Sequence, residues 1–344
     1  MKSEFDFIEK IRRRARSKSA GAGIGDDCAV IPKDAKTDLV VTADLLIEDV
    51  DFRLEWTTPE FVGHKALVVS LSDVAAMGAK PVWAMLSIGI PEKIWKTNFV
   101  EKFYKGWFRL AEKFNVGLIG GDVSKTPDKI VIDSIVAGET KKGKAVLRSN
   151  AKSGDLIFVT GNLGGAAAGL KLLETGERYE KRSKSCVQKL LLRQLQPNPQ
   201  TEIGQILGAK NLATAMIDLS DGLSSDLAHL CRESKVGAKI FADKIPFDAN
   251  LKKKFPRRRE GAKAEPSAVT GEFSEIDRLN FALNGGEDFE LLFTVNPKKI
   301  FQLEKALENF NFSRLGKVTV NAEKIELIKD SETAILQPKG FRHF

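Results

Sequence analysis

Short apolar runs alternate with helical patterns along this chain of 344 residues. The runs LVVTADLLI, VWAMLSIGI and IVIDSIVAGE are rich in β-branched residues, and several are bounded by Gly, Pro or Asp, as is typical of strands. Residues 59–77 and 95–114 instead repeat apolar positions at helical spacing. Because strands that alternate with helices form sheets covered by helices, the pattern predicts an α/β or α+β fold.

The length predicts two domains, since compact domains cluster near ~100–200 residues. A polar stretch, RSNAKSGD, begins at Arg148 and precedes a new apolar strand, DLIFVTG. We therefore predict an N-terminal domain over residues 1–147 and a C-terminal domain over residues 148–344. Residues 251–277 are polar, basic and poor in apolar side chains, which predicts a mobile surface insertion.

Composition and charge disfavour several classes of protein. No apolar stretch approaches the ~20 residues of a membrane helix, and the first residues lack the apolar core of a secretion signal, so we expect a cytoplasmic protein without membrane contact. The net charge of +8 comes largely from residues 12–16 and 252–259, and such runs are more typical of solvated surface than of nucleic-acid binding. Cys28, Cys186 and Cys231 are too far apart in sequence for a disulfide framework or a C-x-x-C zinc pair, so we expect buried thiols.

Aspartates follow several of the apolar runs. We predict that strands end at Asp44, Asp122 and Asp218, with Asp221 one turn after the last of them. Functional groups of α/β proteins gather where strand ends meet loops. Aspartates gathered in this way repel one another, so the pattern indicates a site for cations.

Asp73 is the most informative of the acids. On a helix its face also carries Val69, Ser70, Ala76 and Met77, a surface of small and apolar side chains. An ionised carboxylate in such surroundings is unfavourable unless a metal ion or a hydrogen-bond donor compensates it. A capping or salt-bridged aspartate and a metal ligand both satisfy that condition.

Oxygen ligands from aspartates, with the Thr42 hydroxyl nearby, suit Mg²⁺. His64, His229 and His343 form no H-E-x-x-H motif, so catalytic zinc is not expected. The sequence has neither a Walker loop nor a G-x-G-x-x-G motif after a strand. Residues 160–169, TGNLGGAAAG, open a helix and either hold an anion there or serve tight helix packing.

A set of segments occurs in a characteristic order: GIGDDCAV, TAD, HKALVVSLSDVAAMGAKP, LIGGD, IDLSDGL, NGGEDFELLFT and PKGFRHF. In that order they resemble the motifs of thiamine-monophosphate kinases, along nearly the whole chain. The wider superfamily of aminoimidazole ribonucleotide synthetase-like proteins shares the fold and the ATP site. The resemblance implies an N-terminal sheet domain that pairs in a homodimer, a C-terminal α+β domain, and ATP with several Mg²⁺ ions in the cleft between them. It also implies direct in-line phosphorylation of thiamine monophosphate by ATP to thiamine diphosphate, the last step of thiamine diphosphate biosynthesis.

The resemblance also implies roles for individual residues. The metal ligands would be Asp27, Thr42, Ala43, Asp44, Asp73, Asp122, Asp218 and Asp221. The ATP contacts would be Tyr104, Gly121, Asp122, Arg148 and Ser220. The contacts with thiamine monophosphate would be Asp51, Glu287 and Phe341. The residues expected to act in the transfer itself are Asp44, Asp73, Asp122 and Arg148.

Two positions depart from the family pattern. Asp51 stands where the family has a His in a G-x-H-F pattern, so it can pair with the thiamine cation but repels the phosphate. Ala43 stands where a second Thr is usual and leaves only a backbone carbonyl for a metal. An aminoimidazole ribonucleotide synthetase-like activity stays an alternative. Selenophosphate synthetase and the hydrogenase maturation protein are disfavoured because their terminal Cys is absent, and nucleic-acid binding is disfavoured because the acids repel a phosphate backbone.

Overall fold

Two mixed sheets covered by helices organise the described residues, which are 4–15, 22–255 and 272–343 of this computed structural model. The arrangement confirms the predicted α/β (α+β) class. One sheet lies entirely before Arg148 and the other entirely after it. The exact domain boundary stays a prediction. Within the described ranges, no helix combines the length and apolarity needed to cross a bilayer.

The first half of the chain builds a sheet with the strand order β1-β2-β5-β3-β4. Strands β3 and β4 are parallel, and the other neighbours are antiparallel. Its elements are α1 Glu4–Arg14, β1 Ala29–Pro32, β2 Thr37–Ile47, α2 Pro59–Ala76, β3 Lys80–Pro91, α3 Glu92–Trp95, α4 Phe99–Phe114, β4 Gly117–Thr126 and β5 Val131–Lys141.

The second half builds a sheet with the strand order β12-β11-β8-β10-β6-β9-β7. A short 3₁₀ helix, Arg148–Asn150, lies between the two sheets in sequence. The elements are β6 Leu156–Thr160, α5 Gly165–Glu174, α6 Cys186–Leu195, α7 Thr201–Ala209, β7 Ala213–Asp218, α8 Leu223–Ser234, β8 Gly237–Phe241, α9 Glu275–Asn284, β9 Leu291–Val295, α10 Ile300–Ala306, β10 Phe312–Thr319, β11 Ile325–Lys329 and β12 Glu332–Ile335.

Helix α2 connects the two halves, and its sequence explains its position. Thr58 caps its N-terminus by accepting a hydrogen bond from the backbone N–H of Phe61, and Pro59 occupies the first helical turn, where no N–H is needed. Apolar residues of α2 occur on all its faces, and the helix is buried on nearly all sides. It packs on β2 and β5 of the first sheet, on α4 and α7, and on β7 of the second sheet. A Cβ on Gly204 would lie 2.2 Å from the Ala75 carbonyl oxygen, so only glycine permits the contact of α7 with α2.

Several predicted elements differ in detail from the structure. The helix predicted over residues 95–114 is interrupted, because the Thr97 hydroxyl donates to the Ile94 carbonyl and accepts from the Phe99 N–H, ending α3 and starting α4. The prediction that strands end at Asp44 and Asp122 is wrong, since β2 continues to Ile47 and β4 to Thr126. Asp218 does end β7, as predicted.

The predicted basic insertion, residues 251–277, is only partly described, since residues 256–271 lie outside the described residues. Both of its ends are ordered by packing. Phe255 and Phe273 are buried against each other with ring centroids 4.9 Å apart. A reciprocal capping box between Ser274 and Asp277 begins α9 inside the predicted insertion. The predicted insertion therefore overlaps the start of α9, and its bounds and mobility stay a prediction.

Two of the three cysteines are buried, as expected, but Cys186 is only half-buried. All three thiols are free. The prediction of three buried thiols is therefore wrong at Cys186, whose Sγ lies 3.7 Å from the Lys254 carbonyl oxygen.

Candidate active site

Three aspartates from distant parts of the chain converge where α2 meets the second sheet. Asp27 lies in the turn before β1, Asp73 in the last turn of α2, and Asp218 at the end of β7. Each contributes a carboxylate oxygen to a group whose members lie within 4.8 Å of one another. Asp27 and Asp218 are buried and Asp73 is half-buried. We call these three residues the aspartate cluster.

The two adjacent acids of GIGDDCAV have different partners. Gly25 adopts a φ of 115°, a conformation that favours glycine, and turns the chain so that both acids face Arg148. Asp26 Oδ1 accepts a hydrogen bond from the backbone N–H of Arg148 at 2.7 Å. Asp27 Oδ1 accepts one from the Arg148 guanidinium at 2.5 Å. Asp27 Oδ2 is buried and has no hydrogen-bond partner among the described residues, so it is an open ligand atom.

Each of three carboxylates in this region accepts a hydrogen bond from a hydroxyl group. The Thr42 hydroxyl donates to Asp73 Oδ2 at 2.5 Å. The Ser70 hydroxyl donates to Asp44 Oδ2 at 2.6 Å. The Ser72 hydroxyl donates to Asp218 Oδ2 at 2.7 Å, across the junction of the two halves. The hydroxyls fix one oxygen of each carboxylate without neutralising its charge.

Burial and mutual repulsion raise the pKa values of these acids. Burial, followed by the charges of Asp44 and Asp218, raises the pKa of Asp73 well above its usual range. Burial raises the pKa of Asp218 to about 7 and that of Asp44 to about 6. A carboxyl group with a raised pKa in the folded state stabilises the fold at low pH and loses that contribution as the pH rises through the folded pKa. At neutral pH and above, the site therefore favours a cation.

The predicted residues around the aspartate cluster fall into two groups. Asp44, Asp73, Asp218, Ser220 and Asp221 line one large cleft. The predicted residues that do not line it are Asp27, Thr42, Ala43, Tyr104, Gly121, Asp122 and Arg148. The Tyr104 ring packs on that of Phe103, a buried residue of α4.

Asp122 lies on the other side of the first sheet from the cluster. The register aligns it in one row with Ser87, Asp133 and Leu45, and residues in one row point to the same face. The neighbouring row contains Asp44, and its members Ser134 and Leu86 are buried on the α2 side. The structure therefore does not bring Asp122 to the aspartate cluster.

The cleft has a volume of about 680 Å³ and is walled by both halves of the chain. Glu287 and Phe341 line it from the second half, and Asp51 lines it from the loop after β2. Phe341 is 48% exposed, so its ring is available to a bound molecule. Asp51 Oδ2 accepts a hydrogen bond from the Ile47 N–H at 2.7 Å, and burial raises its pKa.

Glu287 is held by two side chains that the sequence did not single out. Its Oε1 lies 2.6 Å from the ammonium of Lys65, a buried residue of α2, and its Oε2 accepts from the Gln194 amide. Lys65 also donates to the Asp51 carbonyl oxygen at 3.4 Å. The pocket near Glu287 therefore combines two carboxylates with one buried ammonium.

Residues 160–169 do not offer a free helix terminus. The backbone N–H groups of Gly164 and Ala166 donate to the Asp288 carboxylate at 2.6 and 3.1 Å. A Cβ on Gly169 would lie 2.2 Å from the Leu190 carbonyl oxygen, so the glycine serves the contact of α5 with α6. Tight packing, the second of the two interpretations of this loop, therefore accounts for it.

Sequence reasoning missed the hydrogen-bonding roles of the Ser70 and Ser72 hydroxyls, the Lys65 ammonium and the Gln194 amide. Of these, only Ser70 lies on the face of α2 that the helical pattern assigns to Asp73. The partners of Ser72 and Lys65 are 146 and 222 residues away in sequence, so no local pattern could have indicated them.

Sequence comparison defines the class of protein. Residues 25–140 match the family AIR synthase related protein, N-terminal domain, and residues 152–327 match AIR synthase related protein, C-terminal domain. The two domain models together cover most of the chain and correspond to its two sheets. The chain is therefore an AIR synthase-related protein.

Relatives of full length identify the particular family. The chain is 36% identical over 348 residues to the thiamine-monophosphate kinase of Buchnera aphidicola subsp. Schizaphis graminum (strain Sg), with 99% of each chain covered. It is 35% identical over 345 residues to that of Bacillus subtilis (strain 168), again with 99% of each covered. The solved structure of AaThiL complexed with AMPPCP and TMP is similar with a TM-score of 0.80 and 32% identity, covering 99% of this chain and 97% of that one. This chain belongs to the thiamine-monophosphate kinase family, and it is an enzyme of the kinase class.

Proposed function

We propose that this protein transfers the γ-phosphoryl group of ATP to thiamine monophosphate, forming thiamine diphosphate and ADP. The observation that carries the proposal is the aspartate cluster beside a cleft walled by both halves. The relatives named above, and the related structure complexed with AMPPCP and TMP, support the choice of substrates. The reaction is the last step of thiamine diphosphate biosynthesis.

The aspartate cluster suits Mg²⁺. All its donor atoms are carboxylate oxygens, the ligands that this hard cation prefers, and the buried Asp27 Oδ2 has no hydrogen-bond partner among the described residues. Asp27, Asp73 and Asp218 would hold a metal ion, with Asp44 and Asp221 beside them at the cleft. Bound Mg²⁺ supplies positive charge against the polyphosphate. Thr42 and the Ala43 carbonyl stay predicted ligands. Asp122 also stays a prediction, although the strand register places it on the face of the first sheet away from the aspartate cluster.

Direct in-line transfer fits the chemistry of the acceptor. A phosphate monoester has a second pKa near ~6, so its oxygen is already an anionic nucleophile at neutral pH and needs no general base. The remaining barrier is repulsion between two polyanions. Arg148 contributes by holding Asp27 in place, since its guanidinium donates to that carboxylate. The predicted contacts of Tyr104, Gly121, Arg148 and Ser220 with ATP stay part of the proposal.

A direct assay tests the proposal. The purified protein is incubated with Mg²⁺, ATP and thiamine monophosphate, and the products are separated by chromatography with fluorescence detection of the oxidised thiamine esters. We expect thiamine diphosphate and ADP in equal amounts. ADP release without thiamine diphosphate, or no turnover at all, would contradict the proposed reaction.

The acceptor pocket is expected to depend on the charge of Glu287. The change Glu287→Gln should raise the KM for thiamine monophosphate about 10–100-fold, because it removes the anion that faces the cationic ring and leaves the Lys65 ammonium buried without its counterion. The KM for ATP should stay within about twofold, and steady-state kinetics with each substrate varied in turn measure both.

Glu55→Gln is the matched control, because Glu55 lies in the same region of the chain as Asp51 but its side chain is 64% exposed. An unchanged KM for thiamine monophosphate in Glu287→Gln would contradict the proposed contact of Glu287 with thiamine monophosphate.

We further propose that the chain forms a homodimer through the first sheet. Its edge strand β4 pairs only with β3 among the described strands, and Ile119 and Met85 are 62% and 38% exposed there. An open edge beside exposed apolar side chains is a surface that a second copy can cover.

The double change Met85→Glu and Ile119→Glu should therefore give a monomer by sedimentation velocity, because charge in such an interface is unfavourable. Phe301→Glu, at a residue of α10 that is 77% exposed, should leave the dimer intact. A dimer that persists in the double variant would exclude this surface.

Because ATP is a metabolite of the cytoplasm, we propose that compartment for the enzyme, without membrane or nucleic-acid partners.

A further inference from the structure

Ser72 makes a hydrogen bond that joins the two halves of the chain at the aspartate cluster. Its side chain is fully buried in α2, and its hydroxyl donates to Asp218 Oδ2 at 2.7 Å. Asp218 ends β7 of the second sheet, whereas α2 packs mainly in the first half. The bond therefore joins elements from different halves of the chain, between residues 146 positions apart in sequence.

The Ser72 hydroxyl has a single proton, so it can donate to only one acceptor. A serine inside a helix can bond back to the carbonyl one turn earlier. Ser72 instead donates to a carboxylate on another element, and the described residues offer it no other side-chain bond. The hydrogen bond satisfies the buried hydroxyl of Ser72 and holds one oxygen of Asp218 in a defined position.

The other oxygen of Asp218 has a much weaker contact. The Ser220 hydroxyl lies 3.5 Å from Asp218 Oδ1, at the limit of a hydrogen bond. Asp27 and Asp73 lie beside it in the aspartate cluster. Without the Ser72 bond, only this weak contact would orient the Asp218 carboxylate, which could then rotate away from Asp27 and Asp73.

We propose that Ser72 is a positioning residue, which orients Asp218 so that the aspartate cluster binds a divalent cation. This inference rests on the cation site of the proposed function. Groups that hydrogen-bond to metal ligands typically change metal affinity about 10–100-fold when they are removed. Ser72 donates to Asp218 and would not itself be a metal ligand, so its expected effect is on the affinity for the cation.

Binding of Mn²⁺ alone tests the proposal, measured by the electron paramagnetic resonance signal of the free ion. Ser72→Ala should weaken Mn²⁺ binding about 10–100-fold. In the coupled assay with Mg²⁺, ATP and thiamine monophosphate, it should raise the Mg²⁺ concentration for half-maximal rate by a similar factor, with most of the maximal rate recovered at saturating Mg²⁺. A purely structural lesion would instead lower the rate at every Mg²⁺ concentration.

Thr214→Val is the matched control. The Thr214 hydroxyl also donates to a buried carboxylate, that of Asp155 at 2.7 Å. Thr214 lies on β7, the strand that Asp218 ends, but it does not line the cleft. It should lower the melting temperature and leave Mn²⁺ affinity within about twofold. Ser72→Thr, which keeps the hydroxyl, should bind Mn²⁺ more tightly than Ser72→Ala.

Two results separate this inference from the proposed function. If Ser72→Ala binds Mn²⁺ as tightly as the wild type, while its melting temperature falls like that of Thr214→Val, the positioning role is overturned. If the wild type binds Mn²⁺ in a Ser72-dependent manner but makes no thiamine diphosphate, the role of Ser72 holds and the proposed reaction fails.

Discussion

The Asp73→Asn protein is expected to form thiamine diphosphate about 10²–10⁴ times more slowly than the wild type, because metal charge contributes several kcal/mol to such a transfer. Asp73 belongs to the aspartate cluster and lines the cleft, and its amide would lack the charge that holds the cation. The coupled ADP-release assay, with direct detection of thiamine diphosphate, measures the change. Asp44→Asn should act in the same direction.

The same variant should fold at least as well as the wild type. Burial and the neighbouring charges of Asp44 and Asp218 raise the pKa of Asp73, so the metal-free fold favours an uncharged side chain at neutral pH. Asparagine supplies one of the same shape. We therefore expect a melting temperature equal to or above that of the wild type when no Mg²⁺ is added, and a smaller rise when Mg²⁺ is added.

Asp38→Asn is the control for this experiment. Asp38 is also buried on β2, but it accepts a hydrogen bond from the Gly143 N–H and does not line the cleft. Its variant should keep the wild-type rate. A near-normal rate for Asp73→Asn would contradict the proposed role of Asp73 as a metal ligand.

The Arg148→Met protein is expected to lose about 3–5 kcal/mol of unfolding free energy, the usual cost of removing one partner from a buried ion pair. The Asp27 side chain is fully buried, and Arg148 donates to it at 2.5 Å. Without the guanidinium, Asp27 would be an unpaired buried charge. Urea denaturation measures the loss, and the rate of thiamine diphosphate formation should fall as well because Asp27 is no longer held.

The double variant Arg148→Met with Asp27→Asn separates the ion pair from simple packing. Removing both charges should recover most of the lost stability, since no unpaired charge remains buried. The rate should stay low, because the aspartate cluster has then lost a ligand. If Arg148→Met alone changes the unfolding free energy by no more than about 0.5 kcal/mol, as ordinary surface substitutions do, the buried pair does not stabilise the fold.

Local patterns predicted the elements of the site well and their limits less well. The helical spacing of residues 59–77 predicted α2, which begins at Pro59 and ends at Ala76. The strand and helix around Asp218 followed from an apolar run, a glycine turn and a helical pattern. The break before Phe99 was missed because a single threonine hydroxyl ends one helix and starts the next.

Local features of the sequence were enough to predict the class of fold, the family resemblance and the types of side chain at the site. These properties follow from periodicity and from ordered motifs, which are local. Which acids meet depends instead on how the two halves of the chain pack. Asp27, Asp73 and Asp218 converge because α2 is buried between the halves, whereas the sheet register directs Asp122 to the opposite face. The packing of the two halves also brings Ser72 to Asp218, a contact across 146 residues that no neighbouring residue could indicate.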